Sequence, residues 1–165
     1  MIVDEQGRPT RPDQIGDLLV RGPSASLMYW NRRDQTRQKM RGEWFASGDK
    51  YVVDADGYYW YAGRSDDMFK VGGEWVSPIE IENALVAHPA VLECAVVPYQ
   101  ESAGVLKPKA CVILKTGHVG NADLAGELQE FVRARAAHYK CPRVIEFLPE
   151  LPKTATGKIQ RFRLR

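Results

Sequence analysis

The chain has 165 residues, 44% hydrophobic and 27% charged, so it can bury a core and is not globally disordered. No apolar run reaches the ~20 residues of a membrane span and no signal peptide opens the chain, so a cytoplasmic protein is expected. The formal charge of +2 is unevenly spread: residues 71–132 carry 3 basic and 8 acidic side chains, residues 133–165 carry 9 and 2. A basic end suits a polyanionic partner or is a solvated face.

In chain order, residues 4–13 hold Gly7, Pro9 and Pro12 and read as a loop. Residues 17–21 read as a strand, and 34–40 as a short exposed helix. Residues 50–53 and 58–61 flank Asp54-Ala55-Asp56-Gly57, a strong hairpin signal between aromatic and β-branched runs. Residues 68–71 and 74–76 read as a second hairpin turning at Gly72-Gly73. Ser77, Pro78 and Glu80 make a capping box that starts a helix running to about Val86, before His88-Pro89. Residues 91–97 and 110–114 are apolar enough for central strands. Leu124, Leu128, Phe131 and Val132 keep helical spacing over 122–137, and 144–148 is a further strand.

The expected fold class is therefore α+β. A small C-terminal domain over 67–165, with a short hairpin and a three-stranded sheet packed by helices, follows a β-rich remnant over 1–64. That first piece is too short to close a comfortable core, and the junction lies at 65–66. Cys94, Cys111 and Cys141 are an odd count without C-x-x-C spacing, and His88, His118 and His138 are scattered. These patterns suggest neither a disulfide framework nor a metal site.

Three clusters can carry chemistry. In Ser47-Gly48-Asp49 a carboxylate at the mouth of a strand can accept two hydrogen bonds from a diol, although a turn aspartate capping backbone N–H groups is the commoner case. In the run 63–74, Arg64 offers a planar fork of donors for phosphate or hydroxyls. Gly72-Gly73 there permits close backbone approach or simply a tight turn. The third cluster, Pro152-Lys153-Thr154-Ala155-Thr156-Gly157-Lys158, is not a P-loop: Ile159 follows Lys158, and the first glycine of G-x-x-x-x-G-K-[ST] is absent. Lys158 on such a loop can place a point charge on a phosphate or carboxylate, or be a solvated tail lysine.

Taken together, four motifs in order resemble the C-terminal part of acyl-adenylate-forming enzymes: GDLLVRG (16–22), SGD (47–49), GRSDDMFKVGGEWVSPIEIE (63–82) and PKTATGKIQR (152–161). SGDKY, DGYYWYAGRSDDM and LPKTATGKIQRFRL are similar to aryl-CoA ligases, benzoate-CoA ligases among them. The resemblance implies an ATP-dependent acid–CoA ligase of aromatic catabolism, joining an aromatic carboxylate to CoA through an acyl-adenylate. ATP with Mg2+ and CoA are its implied co-substrates, and it implies no metal held within this chain. Asp49 and Arg64 are then expected at the ribose and phosphate of the nucleotide, Asp66 at the hinge between 1–64 and 67–165, and Lys158 at the adenylating centre. Gly72, Gly73 and Glu74 are expected along the pantetheine channel, and Tyr139, Lys140 and Arg143 at the CoA nucleotide. Cys141 stands where some relatives carry a basic residue.

The phosphate-binding loop, the adenine-stacking aromatic and the acyl pocket of that family lie upstream, so the chain is expected to need the rest of a large N-terminal domain and to be inactive alone. The resemblance also suggests a lysine acetyltransferase and deacetylase as partners acting on Lys158. Two other readings remain: an adenylation domain loading a carrier protein, and a basic nucleic-acid-binding module. The second lacks interleaved aromatics and any recognition motif, so neither nucleic acid nor membrane is an expected partner.

Overall fold

The structure is a computed structural model that describes residues 1–102 and 104–165. It divides into two compact units, Met1–Asp66 and Asp67–Arg165.

The first unit is an antiparallel sheet of five strands. They are β1 (Ile2–Val3), β2 (Gly16–Val20), β3 (Met40–Arg41), β4 (Trp44–Val53) and β5 (Tyr59–Arg64), with helix α1 (Arg33–Lys39) between β2 and β3. The strand order is β1-β2-β4-β3, and β5 also pairs with β4. The expected Asp-Gly hairpin forms at residues 54–57. Asp54 Oδ1 accepts the backbone N–H groups of Asp56 (3.0 Å) and Tyr58 (2.8 Å), while Oδ2 accepts the Trp60 indole N–H at 2.7 Å. These bonds, the indole's first, hold the Asp54 carboxyl below its ordinary pKa. β5 continues past the aromatic run to Arg64, because the ladder slips between Lys50 and Tyr51 and then resumes, placing Asp49 opposite Arg64. The core here is small: Val3, Leu19 and Ala46 are buried, with Trp44 packed partly against them.

The second unit opens with the hairpin β6 (Phe69–Val71) and β7 (Glu74–Val76), followed by α2 (Pro78–Val86). β8 (Val91–Ser102), β9 (Val105–Leu114), α3 (Ala122–Arg133) and β10 (Val144–Phe147) complete it. The sheet order is β10-β9-β8, with β8 and β9 antiparallel and β10 parallel to β9. Both helices start as their residue types dictate. Glu80 N–H donates to the Ser77 hydroxyl at 3.4 Å, and Leu124 N–H donates to the Asn121 side chain at 2.8 Å.

Ile81 and Leu85 of α2 and Leu128 and Val132 of α3 bury against Val91, Cys94, Val96, Ala110 and Val112 on one face of the sheet. Each buried Ile, Leu or Val side chain among them contributes about 1.5–3 kcal/mol. Ala95, Val97 and Cys111 point to the opposite face, as the two-residue period of a strand requires. There they are covered by Leu151 and Leu164, with Ile159 partly buried against them. The segment carrying Lys158 is thus a layer of the fold.

Boundaries shifted where tertiary packing overrode local signals. The β8–β9 ribbon runs through Pro98 and Pro108, which stand opposite each other. Pro108 lies just outside the stretch Lys109–Val112 that β10 pairs, so its missing N–H falls where β9 has one partner. Helix α3 stops at Arg133, short of the alanine-rich stretch that follows it. The chain turns back into a 3-10 turn, His138–Lys140, tied by Gln129, whose amide donates to the Pro142 and Arg143 carbonyls at 3.0 and 3.1 Å.

Candidate functional site

In the first unit, Asp49 and Arg64 meet across the β4–β5 ladder. Arg64 Nη1 donates to Asp49 Oδ1 at 3.2 Å, and the Ser47 hydroxyl accepts the Asp49 N–H at 3.1 Å. Both residues remain partly open to solvent, so a ligand hydroxyl can reach the carboxylate. Gly48 sits at φ +83°, and a Cβ there would come within 2.7 Å of Lys39 Nζ. The absent side chain lets the Lys39 ammonium approach the Ser47-Gly48-Asp49 stretch of β4 beside Arg64. Lys39 was not legible as a site residue, because it lies ten residues away in a charged helix.

The end of this unit is pinned. Ser65 N–H donates to the Gly48 carbonyl at 2.9 Å, and its hydroxyl donates to Asp17 Oδ1 at 3.0 Å. Asp17 also faces the buried Lys50 ammonium at 3.1 Å. Asp66 is the last residue of the first unit and Asp67 the first of the second.

In the second unit, Gly72 and Gly73 form the two-residue turn of the β6–β7 hairpin, with φ +59° and +90°. Two successive positive φ values make the turn a glycine position. It is exposed, and no atom lies within 4 Å of where either Cβ would stand. Glu74 follows, also exposed. The turn thus offers backbone without side chains at its tip.

Lys158 sits on a tight, closed turn. Lys153 and Ile159 bridge the base. Thr154 N–H donates to the Lys158 carbonyl at 2.8 Å, and Lys158 N–H donates to the Thr154 hydroxyl at 3.1 Å. The Lys158 side chain is exposed, and its ammonium forms no ion pair among the described residues. A stiff turn therefore presents one unneutralised cation, suited to an anion that arrives from outside.

Tyr139 and Arg143 line one pocket of about 360 Å³ together with Lys107, Arg133, His138 and Cys141. Glu101 shares the pocket and accepts from Arg143 Nε at 2.6 Å, which raises the guanidinium pKa further. Lys140 behaves differently: its ammonium is held by both oxygens of Glu80, at 2.8 and 2.6 Å. The three residues expected together are thus split, two in the pocket and one committed to α2. Arg133 and Lys107 were missed because they come from α3 and β9, far apart in sequence. Burial pushes the Cys141 thiol pKa up, so it lines the pocket as a neutral group. Among the described residues, no group of three His, Cys, Asp or Glu side chains is arranged to hold a metal ion. No helix among them is long and apolar enough to cross a membrane.

Known proteins match the chain in both sequence and fold. Residues 80–158 match the AMP-binding enzyme C-terminal domain. Over 165 residues the chain is 52% identical to benzoate–CoA ligase of Thauera aromatica. It is 48% identical to 4-hydroxybenzoate–CoA/benzoate–CoA ligase of Rhodopseudomonas palustris, and each match covers 99% of this chain and 31% of the relative. The chain spans about a third of the length of these relatives. A crystal structure of the anthranilate CoA ligase AuaEII in complex with anthranoyl-AMP superposes with TM-score 0.92 at 52% identity. A benzoate CoA ligase from Burkholderia xenovorans LB400 does so with 0.89 at 51%, each over 99% of this chain and 32% of that one. The mixed architecture of helices and sheets is shared with both solved structures, and residues 80–158 are similar to the AMP-binding enzyme C-terminal domain.

Proposed function

We propose that the chain is the C-terminal part of an ATP-dependent acid–CoA ligase that activates an aromatic carboxylate such as benzoate. The first half-reaction joins the carboxylate to ATP, entering with Mg2+, to give acyl-AMP and pyrophosphate. The second joins acyl-AMP and CoA to give the thioester and AMP. Relatives named for benzoate and hydroxybenzoate, at 48–52% identity, support the substrate class.

The observation that carries this reading is the Lys158 turn, rigid at its base and carrying an exposed cation with no ion-pair partner among the described residues. An ammonium held between the α-phosphate and the acyl carboxylate offsets the charge that builds as the new P–O bond forms. Preorganised cations of this kind act most strongly on the transition state. Asp49 accepts the ribose hydroxyls and Arg64 keeps that carboxylate oriented while adding positive charge near the phosphate. The Gly72-Gly73 turn and Glu74 form the wall along which pantetheine reaches the acyl-adenylate. Tyr139 and Arg143 take the CoA nucleotide, helped by Arg133 and Lys107 of the same pocket, while Lys140 serves the fold through Glu80. Asp66 is the pivot that presents Lys158 in one half-reaction and the glycine turn in the other, a hinge at a residue between units. An acetyltransferase acting on Lys158 would remove the charge and switch off the first half-reaction.

Lys158→Ala in the full-length ligase tests the reading. Carboxylate-dependent pyrophosphate exchange should fall at least 100-fold, in line with removing one electrostatic partner of a transition state, on the order of 10²–10³. Conversion of supplied acyl-AMP to thioester should stay within a few-fold of the parent. Equal loss in both half-reactions would remove the assignment.

A further inference from the structure

Among the described residues, Arg161 is the most heavily bonded cation of the C-terminal unit. Its guanidinium donates to Glu82 Oε1 at 3.0 and 3.3 Å and to Glu82 Oε2 at 2.8 Å, and Nη1 reaches Asp67 Oδ2 at 3.4 Å. The Arg161 and Glu82 side chains are only 19% and 12% exposed. Glu82 is fixed from the other side too, since its Oε1 accepts the Val96 N–H of β8 at 2.7 Å. Arg165 adds a more distant approach to Asp67 at 3.9 Å. One fork therefore joins the first residue of the unit, the second turn of α2 and, through Glu82, the central sheet. Arg161 lies three residues after Lys158.

The other supports of the lysine turn are weaker or act within it. Lys153 pairs with Glu93 at 2.8 Å, but both side chains are substantially exposed, and exposed pairs hold little. The hydrogen bonds between residues 152 and 160 close the turn on itself. Ile159 has an apolar seat, which sets depth without setting direction. Among the described residues, Arg161 is then the one well-shielded side chain that orients the turn against the rest of the unit by directional bonds. A bidentate guanidinium–carboxylate pair sets direction as well as distance.

We propose that Arg161 is the positioning residue for Lys158: it locks the lysine turn to Asp67, so that rotation at Asp66 is transmitted to the Lys158 ammonium without slack. This rests on Lys158 being the adenylating lysine and Asp66 the pivot. Ser65 is anchored inside the first unit by Gly48 and Asp17, and Asp67 inside the second by Arg161. Asp66 is the residue between the two anchors.

The test uses the full-length ligase with Arg161→Lys, which keeps the charge and removes the fork, and Asp67→Asn, which weakens the Arg161 bond next to the pivot together with the longer approach of Arg165. Thermal melts accompany both, and Lys158→Ala is the control. For Arg161→Lys, kcat of pyrophosphate exchange should fall at least tenfold with KM for ATP changed less than threefold. Thioester formation from supplied acyl-AMP should change less than threefold. Asp67→Asn should fall in the same direction by about half as many orders of magnitude, because it disturbs the longer contacts of the network where Arg161→Lys removes a whole fork. Amide hydrogen exchange over residues 152–160 should speed up in Arg161→Lys and stay unchanged in Lys158→Ala. Equal loss in both half-reactions, tracking a lowered melting temperature, would make Arg161 merely structural and overturn the proposal. So would unaltered exchange kinetics in both variants. A Lys158→Ala enzyme that adenylates normally would instead remove the underlying assignment, whatever Arg161 does. If Arg161→Lys fails to fold, Asp67→Asn alone decides: a selective loss of adenylation sustains the proposal and its absence refutes it.

Discussion

Asp49 and Arg64 stand directly opposite each other on β4 and β5, with Nη1 3.2 Å from Oδ1. Because the pair is partly solvent-exposed, it adds little to stability, at most ~1 kcal/mol, and its worth lies in orienting the carboxylate. Arg64→Ala in the full-length ligase should therefore lower the melting temperature by no more than a few degrees. It should raise KM for ATP about tenfold, the cost of one missing charge-assisted hydrogen bond. Asp49→Ala should have a larger effect on KM, since it removes the acceptor itself. Steady-state kinetics beside a thermal melt would check both.

The two glycines of the β6–β7 turn invite a cleaner separation of fold from function. No neighbouring atom blocks a Cβ at Gly72 or Gly73, but both hold positive φ. Alanine at either site costs about 1–2 kcal/mol through backbone strain alone. Gly73→Ala, at φ +90°, should fold with a slightly lowered melting temperature and nearly normal pyrophosphate exchange. Thioester formation should fall at least tenfold if pantetheine passes over this turn. An unchanged second half-reaction would move the channel elsewhere.

Arg143 and Lys140 make a paired comparison three residues apart. Arg143 lines the pocket with Tyr139 and Arg133, whereas Lys140 is held by Glu80. Arg143→Ala should raise KM for CoA about tenfold and flatten its salt dependence, as expected when one cation leaves a polyanion site. Lys140→Ala should lower stability by about 1 kcal/mol or less and leave KM for CoA within twofold. Reversed results would place the nucleotide on the α2 side.

The cysteines set an alkaline limit. Burial pushes the Cys94 thiol pKa up to about 12 from an ordinary value of 9.0, and the nearby Glu82 and Glu93 carboxylates add to it. The folded state thus binds a proton that the unfolded state gives up as pH rises past 9. Stability from this group is complete below pH 9 and disappears progressively as pH approaches 12. Chemical denaturation at about pH 8 and about pH 10.5, on either side of the unfolded-state value, should show a loss that Cys94→Ala reduces. At the lower pH, alkylating reagents should leave Cys94 and Cys111 unmodified until the chain unfolds.

Much of the C-terminal unit was readable because its local signals agree. The capping residues of α2, the Gly-Gly turn and the apolar runs of β8 and β9 all specify what forms. The short strands β1 and β3 carry no periodicity to read, being two residues each. The ends of β8, β9 and α3 depend on partners far away in sequence. The same division runs through the site. Asp49, Arg64 and Lys158 stand inside motifs and were singled out by them, whereas the Asp49–Arg64 pairing and the closed turn under Lys158 arise only from the fold. Lys39, Arg133, Lys107 and Arg161 acquire their neighbours only through folding, and Lys140 was drawn off by Glu80, a partner 60 residues away in the chain.

The Glu82–Arg161 pair also spans 79 residues of chain. During synthesis α2, β8, β9 and α3 emerge well before Arg161, and their local pairings close cheaply. Until Arg161 arrives, the Glu82 carboxylate sits in a nearly formed core with the Val96 N–H as its support. A buried carboxylate without its cation is costly, so α2 reaches its full stability only once Arg161 is in place. The contacts that orient the Lys158 turn are therefore also contacts that complete the packing around α2, so orientation of the turn and integrity of the domain are set by the same bonds.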